Sequence, residues 1–208
     1  MSPLFVLLGA AAGAAVGGVV IAALAAATVH RAEVTVRRMW PAGAACGAIT
    51  GAVLAAAGLP YPVTAALFVA VTVAAAAALV DASEHRLPNV LTGLLLGAGI
   101  LLCPLATAVT GWGSPLRALA GLLIFGGWML VLAAFDAGPG DVKLAAGIGW
   151  WLAWMSWWVF LAGVAAALLG MAGTLMANRW FRDRPRSPLG PGIVAGLLIG
   201  VLATAWLN

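Results

Sequence analysis

Seven apolar stretches of membrane-spanning length, separated by short polar islands, constrain this chain more than any other feature. At about 20 apolar residues per crossing of a roughly 30 Å hydrocarbon core, the candidate spans are 4–28, 42–58, 63–80, 89–110, 115–135, 144–178 and 189–207. With 64% hydrophobic and 8% charged residues, the chain has more apolar surface than a water-soluble domain of this size hides, and it reads as an integral membrane protein. Backbone polar groups in lipid must pair internally, and runs this long do so as helices. The first run lacks a basic leading segment and exceeds the roughly 7–15 residues of a signal-peptide core, so it is read as a retained span.

The run 144–178 decides the helix count. As one helix it would be about 50 Å long at 1.5 Å per residue, too long for a single crossing. A turn near Met155 and Ser156 makes two helices of it, and eight in all. Trp150, Trp151, Trp154, Trp157 and Trp158 crowd its first half. Because Trp favours the membrane interface, that turn is expected to bring all five to one surface, joined by Trp112 of the Gly111–Ser114 turn.

Charge checks the count independently. With eight helices and both termini outside, the inside segments are 30–40, 81–88, 136–143 and 179–188. They carry Arg31, Arg37, Arg38, Arg86, Lys143, Arg179, Arg182, Arg184 and Arg186, all but Arg117 of the 10 basic residues, as the positive-inside rule requires. A seven-helix chain would export the four-arginine segment. The net charge of +4 is thus a matter of topology, and nucleic-acid binding is excluded. Cys46 and Cys103 lie in apolar runs without CxxC spacing and read as small core residues. Glycines recur at four-residue spacing: Gly9, Gly13 and Gly17; Gly43, Gly47 and Gly51; Gly93 and Gly97; Gly192, Gly196 and Gly200. Such ridges let helices approach closely, and packing within the monomer is favoured over a dimer face, with a homo-oligomer left open. The expected fold is an all-α polytopic transmembrane bundle of about eight helices forming a single domain over 1–208.

Of the 6 acidic residues, Glu33 and Asp183 sit among arginines and read as solvated. Asp81 closes the apolar run 63–80, and Asp141 opens the next inside-facing helix after Gly138-Pro139-Gly140. Irregular backbone at membrane depth is tolerated only where protein or a water-filled cavity covers it, and a catalytic pocket supplies such a cover. Two carboxylates in a poorly solvated site share a proton, because both cannot ionise easily. The charged member can activate water while the protonated member polarises a peptide carbonyl, which is hydrolysis with no metal and no covalent intermediate. In the structural alternative both aspartates cap helices. Lys143 reads equally as a group orienting or balancing the pocket and as a snorkelling anchor. Pro88 and Asn89 begin the next helix, Pro setting φ and Asn offering a cap. Glu84 and Asp136 could tune the dyad or lie in loops; His85 and Arg86 read as solvated loop residues. Neither HExxH nor Cys/His ligand spacing occurs, and no cofactor is expected.

Three segments together resemble the type IV prepilin peptidases, membrane aspartic peptidases of the GxGD kind. Gly138-Pro139-Gly140-Asp141-Val142-Lys143 resembles their GxGDxK segment, and Asp81 followed by Leu87-Pro88-Asn89 resembles their Asp with Ile-Pro-Asn six to eight residues on. Pro188-Leu189-Gly190-Pro191 is similar to the Phe-Gly-Pro segment that opens their last helix. The resemblance runs in family order from about residue 63 to the C-terminus. It implies that Asp81 and Asp141 are the catalytic pair, with Gly138, Gly140, Lys143, Pro88 and Asn89 in support. It also implies cleavage of the basic leader of a prepilin or pseudopilin at the cytoplasmic face of a bacterial inner membrane, with the substrate helix and membrane lipid as partners. The chain resembles a short form lacking the family's cysteine-rich domain, so neither a zinc site nor methyltransferase activity is expected. Leu87 for Ile, Leu189 for Phe and the additional Asp136 depart from the family pattern. A presenilin-like protease with other transmembrane substrates shares the GxGD logic without the Leu-Pro-Asn element. An ion- or proton-coupled transporter would place its carboxylates near midplane, and a purely structural assembly protein would need none.

Overall fold

The computed structural model describes residues 3–28, 32–84, 86–134, 138–181 and 188–207. Among these the regular elements are eight α-helices: α1 (Pro3–Thr28), α2 (Ala32–Ala57), α3 (Tyr61–Glu84), α4 (Asn89–Thr110), α5 (Pro115–Ala133), α6 (Pro139–Met155), α7 (Trp157–Phe181) and α8 (Gly190–Leu207). Four of them, α3, α4, α5 and α7, are long and apolar enough to cross a membrane, and the chain is a multi-pass helical membrane protein.

The break within 144–178 falls at Ser156. Its extended backbone ends α6, and its Oγ accepts the N–H of Val159 at 3.1 Å in the first turn of α7. One residue therefore stops one helix and caps the next. The start of α2 differs from the sequence reading, which placed 30–40 in a loop. The helix begins at Ala32 and carries Pro41 in its interior. Proline removes one N–H from the helical ladder, and here it does so where the apolar run is only beginning.

The helices pair in sequence as α1/α2, α3/α4, α5/α6 and α7/α8. The glycine ridges of α1 and α2 face each other: a Cβ on Gly13 would collide with the Gly47 carbonyl, and one on Gly51 with the Gly9 carbonyl. That is packing within one chain, as the spacing suggests. Gly192 and Gly196 pack likewise on Gly170 and Gly163 of α7, whereas Gly93 and Gly97 face open space. α3 is the most enclosed span, packed by α1, α2, α4, α6 and α8, and α6 is packed by α3, α4, α5, α7 and α8. These two central helices are the ones that carry Asp81 and Asp141.

The tryptophans divide instead of gathering at one surface. Trp150, Trp151 and Trp154 on α6 are buried, while Trp157 and Trp158 on α7 are exposed. The Trp151 indole N–H donates to the Leu95 carbonyl at 3.0 Å and that of Trp154 to Thr107 Oγ1 at 2.9 Å, which pins α6 to α4. Trp112 meets Trp154 edge-on at 5.1 Å, a favourable aromatic geometry. At this end Arg117 donates to the carbonyls of Ala153, Trp154 and Met155, the last two at 2.8 Å. The one basic residue outside the positive-inside pattern thus satisfies the last turn of a helix, whose carbonyls have no intrahelical donors.

Candidate active site

Four helix ends meet at the opposite end of the bundle: the last turn of α3 and the first turns of α4, α6 and α8. Asp81 lies three residues before the end of α3 and is 5% exposed. A charge so enclosed needs partners, and Asp81 Oδ2 accepts the backbone N–H of Gly190, the first residue of α8, at 2.9 Å. The donor comes from an element far along the chain, so the site is assembled by tertiary packing.

Asp141 is the third residue of α6, ahead of the apolar run that starts at Leu144 and outside the membrane-spanning part. The helix starts here because Gly138 is extended, Pro139 supplies a helical φ at the first position, and the first orphan donor is then met. Asp141 Oδ2 reaches back to accept the Gly138 N–H at 3.1 Å. The capping role weighed from the sequence is therefore real for that oxygen. Burial, and then the negative charge of Asp81, push the Asp141 carboxyl from 3.8 up to about 6, while the Gly138 N–H pulls the other way. The charge of Asp81 thus reaches the Asp141 carboxyl, the first side chain buried and the second half-buried.

The flanking residues tie the segments together. Pro88, extended at ψ 129°, is the N-cap of α4, and its carbonyl accepts from Leu91 and Thr92. Asn89 is the first helical residue and not the cap expected from its type. Its Oδ1 instead accepts from Lys143 Nζ at 2.8 Å, which explains how Lys143, two residues past Asp141, is used while pointing elsewhere. Gly140 lies against Leu87: a Cβ there would come within 2.8 Å of Leu87 Cβ. The Leu-Pro-Asn segment is therefore strapped to the first turn of α6 by one contact that requires glycine and one hydrogen bond. Glu84 and Arg86 are exposed beside the site. His85, Asp136 and Asp183 lie outside the described residues.

The sequence reading singled out Pro188-Leu189-Gly190-Pro191 by resemblance as the start of the last helix but did not foresee that the Gly190 N–H meets Asp81. Nor did it find the cap made by Arg117, since no local pattern links it to Met155.

Residues 66–175 match the type IV leader peptidase family. A prepilin leader peptidase/N-methyltransferase from Dickeya chrysanthemi is 34% identical over 143 residues, covering 61% of this chain and 48% of that protein. Similar proteins of that name from Aeromonas hydrophila (31% over 137 residues, 61% of this chain and 47% of the relative) and Burkholderia pseudomallei K96243 (32% over 123 residues, 56% and 39%) also match. The chain thus spans less than half the length of these curated relatives. No solved structure gives a significant match.

Proposed function

Because the chain belongs to the type IV leader peptidase family, we propose that it is a membrane-embedded aspartic endopeptidase cutting the leader of a prepilin or pseudopilin at the cytoplasmic face. The observation that carries this reading is the convergence of Asp81 and Asp141, each with a backbone N–H on Oδ2 and with the Asp81 charge helping to hold the Asp141 carboxyl toward its protonated form. The four helix ends around them form one integral-membrane peptidase domain in the bacterial inner membrane, with the site inside, both termini outside and lipid around the bundle.

In this mechanism the dyad carries one proton. The ionised carboxylate takes a proton from water as the water oxygen attacks the scissile carbonyl carbon, and the protonated partner gives its proton to the carbonyl oxygen. The resulting gem-diol collapses: one hydroxyl returns its proton to the second carboxylate, the first gives its proton to the leaving nitrogen, and the C–N bond breaks. The products are an acid and an amine, and the dyad again holds one proton. The competing ion-path reading wants carboxylates near the middle of the bundle, whereas Asp81, Glu84 and Asp141 all lie within a turn of a helix end.

The test uses purified protein and a candidate prepilin, with Asp81→Asn and Asp141→Asn variants. Wild type is expected to release the leader, and each variant to lose about 10²–10⁴-fold in kcat, the share of a positioned acid or base. A wild type that cleaves no leader, or a variant that cleaves normally, rejects the proposal.

A further inference from the structure

Gly190 stands against Asp81 in a way that only glycine permits. A Cβ on Gly190 would lie 2.7 Å from Asp81 Oδ2 and 3.1 Å from both its Cβ and Cγ. All three atoms belong to the Asp81 side chain, which is buried, and the clash with its Cβ is not relieved by turning the carboxyl group. With no side chain at 190, the first turn of α8 closes onto α3 until its N–H reaches the carboxylate at 2.9 Å. Asp141 takes its N–H from the N-cap of its own helix; Asp81 takes its donor from α8, so the two carboxylates are set by different events. The Asp141 contact forms with α6, and the Asp81 contact forms only when α8 docks.

We infer that Gly190 is the positioning residue of the dyad, its missing side chain and its N–H together fixing the Asp81 carboxylate. This rests on the peptidase reading above for its consequence in catalysis, although the effect on Asp81 itself does not. An N–H at a helix start favours a carboxylate over a carboxylic acid through both the hydrogen bond and the positive end of the helix dipole. The charged groups on the described elements packed around Asp81 are these. Among the helices packed on α3, α1, α4 and α8 contain no Asp, Glu, Lys, Arg or His; α6 brings Asp141 and Lys143, the latter bonded to Asn89; and α2 carries Glu33, Arg37 and Arg38 in its first two turns. Glu84, on α3 itself, is exposed.

The experiment has two readouts, one independent of peptidase activity. The Asp81 carboxyl carbon is followed by ¹³C NMR across pH in detergent-solubilised full chain, assigned by its absence in Asp81→Asn, and leader cleavage is measured over the same range. In Gly190→Ala, kcat is expected to fall at least about tenfold with KM within about twofold, and the acid limb and the Asp81 titration to move together away from their wild-type positions. Gly192→Ala is the control, since a Cβ there would meet Met171 N at 2.5 Å in the α7/α8 contact; it is expected to lower thermal stability and leave both titrations in place. Replacing the Gly190 N–H by an ester oxygen, with glycolic acid at that position, removes the donor without adding bulk and decides the matter if Gly190→Ala does not fold. An Asp81 titration unchanged in the ester variant overturns the inference, as does a Gly190→Ala protein that behaves like Gly192→Ala. If wild type cleaves no leader, the peptidase reading fails while the titration still settles the role of Gly190.

Discussion

At the scale of single residues, Asp141 does two jobs whose demands conflict. Capping α6 and lying at the positive end of its dipole favour the charged form, whereas burial and Asp81 favour the neutral form and prevail. The folded carboxyl at about 6 lies above its ordinary 3.8, so the folded state binds more protons than the unfolded state between those values, and ionising Asp141 erodes stability as pH rises through that window. Asp141→Asn removes this erosion. Its melting temperature is expected to match wild type near pH 3.5 and to exceed it increasingly up to about pH 7; a constant gap across the range would count against the raised pKa. Lys143 and Asn89 form a second residue-scale device. Because Lys143 Nζ donates to Asn89 Oδ1 at 2.8 Å on an exposed face, stability is expected to change by less than about 1 kcal/mol on substitution. Activity is expected to fall about tenfold in Lys143→Met and in Asn89→Ala, with the double variant no worse than either. Full additivity would show that the bond does not position the site.

At the scale of elements, α6 is held at both ends by different chemistry. Its first turn is strapped to the Leu-Pro-Asn segment through Gly140 and Lys143, and its last turn is closed by the three carbonyl contacts of Arg117. Between them the indoles of Trp151 and Trp154 fix its height against α4. Arg117→Met keeps most of the apolar stem but leaves the carbonyls of Ala153 and Met155 short of donors, while that of Trp154 keeps the Ser114 N–H. It is expected to destabilise the protein on the order of 3 kcal/mol, the scale of losing hydrogen bonds to a charged group, as read by denaturation in detergent. No loss of stability would mean that water replaces the guanidinium without cost. Helix existence and the break at 155–156 were legible because length against bilayer thickness is a one-dimensional constraint. The division of the tryptophans was not: interface preference could not say that α6 buries its indoles, two of them bonded to α4, while α7 turns Trp157 and Trp158 outward.

At the scale of the whole molecule, Asp81, Asn89, Asp141 and Gly190 gather at one end of the bundle, which the placement of basic residues predicts to face the cytoplasm. Orientation is testable with single cysteines in a variant lacking Cys46 and Cys103. A cysteine at Glu84, exposed beside the site, is expected to react only with a reagent that reaches the cytoplasm. One at Leu116, exposed at the Arg117 end, is expected to react from outside. The reverse pattern would overturn the topology.

What the sequence determined by itself was the class of molecule, the helix count and the two polar islands, because hydrophobic length and charge placement act locally along the chain. The segment Gly138-Pro139-Gly140-Asp141 likewise carries its own helix start, so its geometry could be read without neighbours. Only the tertiary structure decided that Asp81 is served by an N–H of α8, that Asn89 accepts from Lys143, and that Arg117 closes α6. Each joins groups remote in sequence, and which donor reaches which acceptor depends on how closely glycine-lined helices approach, a quantity no local pattern contains.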